Sequence, residues 1–117
     1  MRIEKISAVT LTVASMRDSV RFYRDVLGME IVHGGEDGCF SSLRAKDVED
    51  PILNLEQGRS VIRWGRMIFY VADVDGFWAY LRERGFYPES PRNASWGERY
   101  FHMPDPDSHE LSFARPI

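Results

Sequence analysis

The stretch WGERYFHMPDPDSHELSF, residues 96–113, places two histidines, His102 and His109, among four acidic side chains. Imidazole and carboxylate are the donors a catalytic transition metal takes, and the same pair can move protons. A plainer reading competes with that one. Asp105, Pro106, Asp107 and Ser108 are turn residues, with proline fixing φ and aspartate bonding its local backbone, so the acidic cluster is expected to be mostly a turn between two strands. His109 follows the turn and is expected in solvent, and His33, beside two glycines, in a loop. His102 is left as the strongest candidate ligand or proton carrier, with Glu56, Glu98 and Glu110 as possible carboxylate neighbours.

No nucleophile constellation accompanies these residues. Ser42 and Ser112 lack an evident base, Cys39 has no cationic pattern beside it, and neither G-x-S-x-G nor a phosphate loop is present. Cys39 is the single cysteine, which excludes an intrachain disulfide and a thiolate zinc site. The 15 basic and 18 acidic residues are interspersed, giving a net charge of -3, so neither a nucleic-acid nor a polybasic membrane partner is expected. No long apolar run follows the basic residues of MRIEKISAVTLTV, and a cytoplasmic protein is the expectation. A chain of 117 residues with 44% hydrophobic content suits one domain, 1–117.

The elements that must position these side chains occur twice. Setting LTVASMRDSVRFYRDVLGM over FYVADVDGFWAYLRERGF, with Val13 above Val71, gives an offset of 71 − 13 = 58. Each copy opens as a strand: Val9, Leu11 and Val13 alternate with Ala8, Thr10 and Thr12, and Met67, Phe69 and Val71 alternate with Arg66, Ile68 and Tyr70. Each then turns helical, from Ser15 to Gly28 and from Asp73 to Gly85, with cap residues at the starts and glycines at the stops. Strand-like segments follow at 30–33, 39–43 and 52–56, then near Tyr87, at 98–103 and at 110–114. The pattern is βαβββ repeated, about 1–57 and 61–117, with the junction at 58–60. Gly34-Gly35 and Asp37-Gly38 suit the turn between the first two returning strands.

The run RFYRDVLGME, the duplicated βαβββ and the closing WGERYFHMPDPDSHELSF together resemble the vicinal oxygen chelate superfamily, which includes glyoxalase I, extradiol dioxygenases and fosfomycin- and bleomycin-resistance proteins. The resemblance spans essentially the whole chain. It implies an α+β fold of two tandem βαβββ modules, forming a curved, incompletely closed mixed sheet with helices on the convex side and a cavity on the concave side. It also implies a homodimer.

Alternation then sorts the strands. With Val9, Leu11 and Val13 toward the helices, the concave side carries Asn54, Glu56, Arg66, Tyr70, Glu98, Tyr100, His102 and Ser112, which are the expected ligand-binding residues. Metal-dependent members of the superfamily draw His, Gln or Glu ligands from the first and fourth strands of each module, and those positions fall here on Ala8, Asn54, Arg66 and Ser112. None is a usual ligand for a catalytic transition metal, and Arg66 is a permanent cation. No metal and no cofactor are therefore expected.

Arg66 can clamp a planar anion, with Tyr70, Tyr100 and Trp64 as stacking surface, or be neutralised by Glu56, Glu98 or Glu110. The carboxylates can instead favour a cation, as in the bleomycin-resistance proteins that the chain resembles. The expectation is a metal-independent protein of the bleomycin-resistance-like branch that binds or sequesters a small polar or aromatic compound. The alternatives are a metal-dependent lyase, isomerase or dioxygenase built on His102 and the glutamates, or a partner domain with a vestigial cavity.

Overall fold

Both helices begin where a short polar side chain can take up an unpaired backbone donor. Ser15 Oγ accepts from the Asp18 N–H at 3.2 Å and opens α1 (Met16–Arg21). Asp73 Oδ1 accepts from the Gly76 N–H at 3.0 Å and opens α2 (Val74–Glu83). Such a cap is worth about 1 kcal/mol. Both helical segments end before glycines in the left-handed region, Gly28 at φ 77° and Gly85 at φ 88°, where a side chain is disfavoured. The first helix differs from the regular one its periodicity predicts. After Arg21 it widens into a turn of π-helix, Phe22–Val26, marked by the Leu27 N–H bonding the Phe22 carbonyl five residues back.

The computed structural model describes residues 1–117, in two compact units, Met1–Ile62 and Arg63–Ile117. In the first, β1 (Ala8–Val13), β2 (Glu30–His33), β3 (Phe40–Arg44) and β4 (Ile52–Gln57) form a sheet in the order β1-β4-β3-β2. In the second, β5 (Arg66–Tyr70), β6 (Arg92–Asn93), β7 (Glu98–Pro104) and β8 (Glu110–Pro116) take the order β5-β8-β7-β6. Each sheet is open and mixed: the first and fourth strands of a unit pair in parallel, and the other neighbours are antiparallel. This is an α+β fold of two βαβββ modules. No helix is long and apolar enough to cross a membrane.

The 58-residue offset survives into the hydrogen-bond register. Ala8 pairs with Ile52 and Arg66 with Glu110, both partners shifted by 58. Asn54 and Ser112 are likewise 58 apart, yet their antiparallel partners Ser42 and His102 are 60 apart. The second unit has thus gained two residues before β7, and an even insertion leaves every side chain on its original face.

Alternation holds along the strands. Leu11, Val13, Leu53 and Leu55 are buried in the first unit, and Phe101, Met103, Leu111 and Phe113 in the second. Phe113 is the hub of the second core, with ring centroids of Phe77, Phe101 and Phe69 at 5.1, 5.2 and 5.8 Å. Two positions differ from the sequence reading. The short strand expected near Tyr87 is Arg92–Asn93 instead, and Tyr87 is an exposed loop residue. Two residues are too few to leave a periodic signal. His109, expected in solvent, is buried, because the Asp105 N–H bonds its carbonyl and folds the chain back on itself.

Candidate functional site

The closing stretch separates into a turn and a working face. Asp105 Oδ1 accepts from the N–H groups of Asp107 and His109 at 2.9 and 2.8 Å, and Ser108 adopts φ 65°. Asp105 therefore shapes the β7–β8 turn, and that part of the acidic cluster is turn chemistry as expected. Glu98, Tyr100 and His102 alternate with the buried Phe101 and Met103 and emerge on the other face of the same sheet, away from α2.

On that face the strand register lays out the side chains in rows. Arg66 pairs with Glu110 at one end. Ile68, Ser112 and His102 form the next row, and Tyr70, Ala114, Tyr100 and Arg92 the one after. Four residues separate Arg66 from Tyr70, about 13 Å along the strand. Beyond Glu110 the central strand contributes the small residues Ser112 and Ala114, both buried, whereas Ile68 and Tyr70 beside it stand exposed.

The two ends differ in electrostatics. Arg66 Nη2 lies 2.7 Å from Glu110 Oε1, so the arginine is neutralised by its strand neighbour. Glu98 makes no ion pair. Its two oxygens accept from neutral donors, the Tyr70 hydroxyl at 2.5 Å and the Trp96 indole N–H at 2.8 Å. These bonds hold the Glu98 carboxyl below its ordinary range, and the same bond raises the Tyr70 phenol. The Trp96 ring lies 5.7 Å from Tyr100, which is 5.0 Å from the His102 ring and has the Arg92 guanidinium 5.4 Å from its centroid. Desolvation, and then the Arg66 charge, depress the His102 imidazole below 6.5, and its buried Nδ1 has no hydrogen-bond partner.

Six of the expected residues, Arg66, Tyr70, Glu98, Tyr100, His102 and Ser112, therefore share one face of the second sheet. Asn54 and Glu56 belong to the first unit. There Asn54 is tied into its own sheet, accepting from Ser42 Oγ at 2.7 Å and donating to Thr10 Oγ1 at 3.4 Å. Glu56 is exposed on β4. Trp96 and Arg92 belong to the second-unit cluster but were not among the expected site residues. Arg92 sits on the strand the sequence did not place.

The chain belongs to the Glyoxalase/Bleomycin resistance protein/Dioxygenase superfamily, whose family profile matches residues 5–113. Among similar solved structures is a member of that superfamily from Sphaerobacter thermophilus, with TM-score 0.80, 22% identity and coverage of 96% of this chain and 97% of that one. A possible glyoxalase from Bacillus cereus gives TM-score 0.78 at 23% identity, covering 97% and 100% of the two chains. A lactoylglutathione lyase from Agrobacterium tumefaciens gives 0.79 at 18%, covering 97% and 94%. At these identities the likeness is one of fold. No curated protein matches the sequence.

A family containing metal enzymes makes the expected ligand positions worth testing, unit by unit. Ala8 offers no donor atom, the Asn54 amide is engaged by Ser42 and Thr10, Arg66 is a cation held by Glu110, and Ser112 is buried. These residues do not fit a catalytic transition metal. No three His, Cys, Asp or Glu side chains gather elsewhere as an alternative.

Proposed function

We propose that this protein is a metal-independent small-molecule-binding protein, which holds or sequesters a small polar or aromatic compound against the helix-free face of its second sheet. The observation that carries the reading is the chemistry at the expected ligand positions of each unit taken by itself: a methyl group and an amide in the first, a guanidinium and a hydroxyl in the second, none of them an imidazole or carboxylate. The guanidinium is matched by Glu110 across the strand pair, so Arg66 already has its counter-charge and repels a dication there. Exposed Tyr70 and Trp96, the half-buried Tyr100 and His102, and the Glu98 carboxylate supply the aromatic surface and orienting polar groups that small-molecule sites use. The competing metal enzyme built on His102 and the glutamates lacks a gathered set of donors.

Metal content decides between them. Protein purified without chelator or histidine tag is expected to carry no stoichiometric transition metal by elemental mass spectrometry, and to acquire none after incubation with divalent ions and desalting. A stoichiometric metal that His102→Ala removes would overturn the proposal.

A further inference from the structure

The first unit carries a polar row that the small-molecule reading above does not use. Thr10, Asn54 and Ser42 are register partners on the adjacent strands β1, β4 and β3. They alternate with the buried Leu11, Leu53, Leu55 and Leu43, so they stand on the helix-free face of the first sheet. The three are bonded to one another, Ser42 Oγ donating to Asn54 Oδ1 at 2.7 Å and Asn54 Nδ2 to Thr10 Oγ1 at 3.4 Å. Those two bonds leave much of the row's capacity unspent: one amide hydrogen, the Thr10 hydroxyl hydrogen, and lone pairs on all three oxygens. Two residues along the same strands, about 7 Å away, Glu56 has Phe40 as its register partner, and both are exposed. Two residues the other way on β3, Arg44 is matched by Glu30 at 2.6 Å.

We propose that Thr10, Asn54, Ser42, Glu56 and Phe40 form a binding site for a neutral cyclic polyol, of the pyranose or inositol kind. Each hydroxyl of such a compound both donates and accepts, which is what a row with unspent hydrogens and unspent lone pairs requires. The Glu56 carboxylate takes hydroxyl hydrogens in charge-assisted bonds, stronger than neutral ones, and the exposed Phe40 ring covers the C–H face of the ligand ring. Other classes fit less well. An organic cation would use the acceptors alone and leave the Thr10 and Asn54 hydrogens without partners. An anion would meet the Glu56 charge, with the Arg44 guanidinium already matched. An apolar compound would strip water from the whole row without replacing its hydrogen bonds. The site belongs to a different unit from the one proposed on the second sheet, and either can fail without the other.

Asn54, Gln57 and Asn93 are the only side-chain amides of the chain, so the ¹⁵N-labelled full chain gives few such resonances, and Asn54→Asp identifies its pair by removing it. The Asn54 pair should shift saturably, in the millimolar range, with at least one of the methyl α-glycosides of glucose, galactose and mannose or with myo-inositol. A glycoside reports the end of a glycan, and inositol a free polyol. Tetrahydropyran-2-methanol, which keeps the ring but has one hydroxyl, should bind at least about tenfold more weakly, and Glu56→Ala and Phe40→Ala should each weaken the best ligand about tenfold while the spectrum stays dispersed. Equal affinity for tetrahydropyran-2-methanol would overturn recognition of hydroxyls. Choline or acetate saturating the same resonances with equal or higher affinity would overturn the neutral class, and unchanged affinity in either variant would remove that residue from the site. No saturable shift of the Asn54 pair with any of the four polyols would refute the site and leave the row an ordinary solvated face, whatever the second sheet binds.

Discussion

Replacing Phe113 with alanine tests whether the core of the second unit holds the site in place. Phe113 is 1% exposed and within 5.8 Å, centroid to centroid, of three other phenylalanine rings. Its neighbours Ser112 and Ala114 point to the opposite face, so the packing of this ring fixes the central strand beneath the site. Deleting a buried phenylalanine costs roughly 3–5 kcal/mol, a large part of the roughly 5–15 kcal/mol that stabilises an ordinary domain. With a urea slope of about 2 kcal/mol/M, the unfolding midpoint should fall by roughly 2 M. All three tryptophans, Trp64, Trp78 and Trp96, lie in Arg63–Ile117, so fluorescence follows that unit while far-ultraviolet circular dichroism follows both. A fluorescence midpoint lowered by less than about 0.5 M at unchanged slope would show that the ring cluster is not the stabilising core described.

Three smaller perturbations follow from single contacts. Asp73→Ala removes the α2 cap and should cost about 1 kcal/mol in urea unfolding, with Asp73→Asn retaining most of it. Gly34→Ala should cost more than about 1 kcal/mol by the same assay, because its backbone is at φ 76° and the new Cβ would lie 2.3 Å from the Phe40 carbonyl oxygen. His102 is depressed below 6.5 in the folded chain, so the unfolded state binds the proton more readily. Its contribution to stability is then complete above that ordinary value and is lost as the pH falls through the folded value. Comparing urea midpoints over that window, His102→Gln should show a flatter profile than the parent; an identical slope would mean that His102 is not the titrating group.

Much of the architecture was legible because it depends on local chemistry. Ser15, Asp73, Gly28 and Gly85 each act on backbone groups within a few residues, and they bound the helices where the sequence places them. Period-two alternation likewise sorted Phe101 and Met103 from Tyr100 and His102 without knowledge of the partner strands. The repeat offset of 58 reappears as strand register because both modules solve the same pairing problem with the same spacing.

Partner choice was not legible, since it depends on which strands become neighbours. Arg66 had three candidate carboxylates in the sequence, and only the β5–β8 register, which sets it beside Glu110, decided among them. Glu98 was left to Tyr70 and Trp96 by the same outcome, which made it the uncompensated charge of the face. The two-residue strand at Arg92 also arises from pairing across the chain, for which no local signal exists. The sequence by itself determined the elements and the faces, because residue identity and spacing are sufficient for those. Which charges cancel and which remain was decided by the tertiary structure, because electrostatic neutralisation depends on distance in space rather than along the chain.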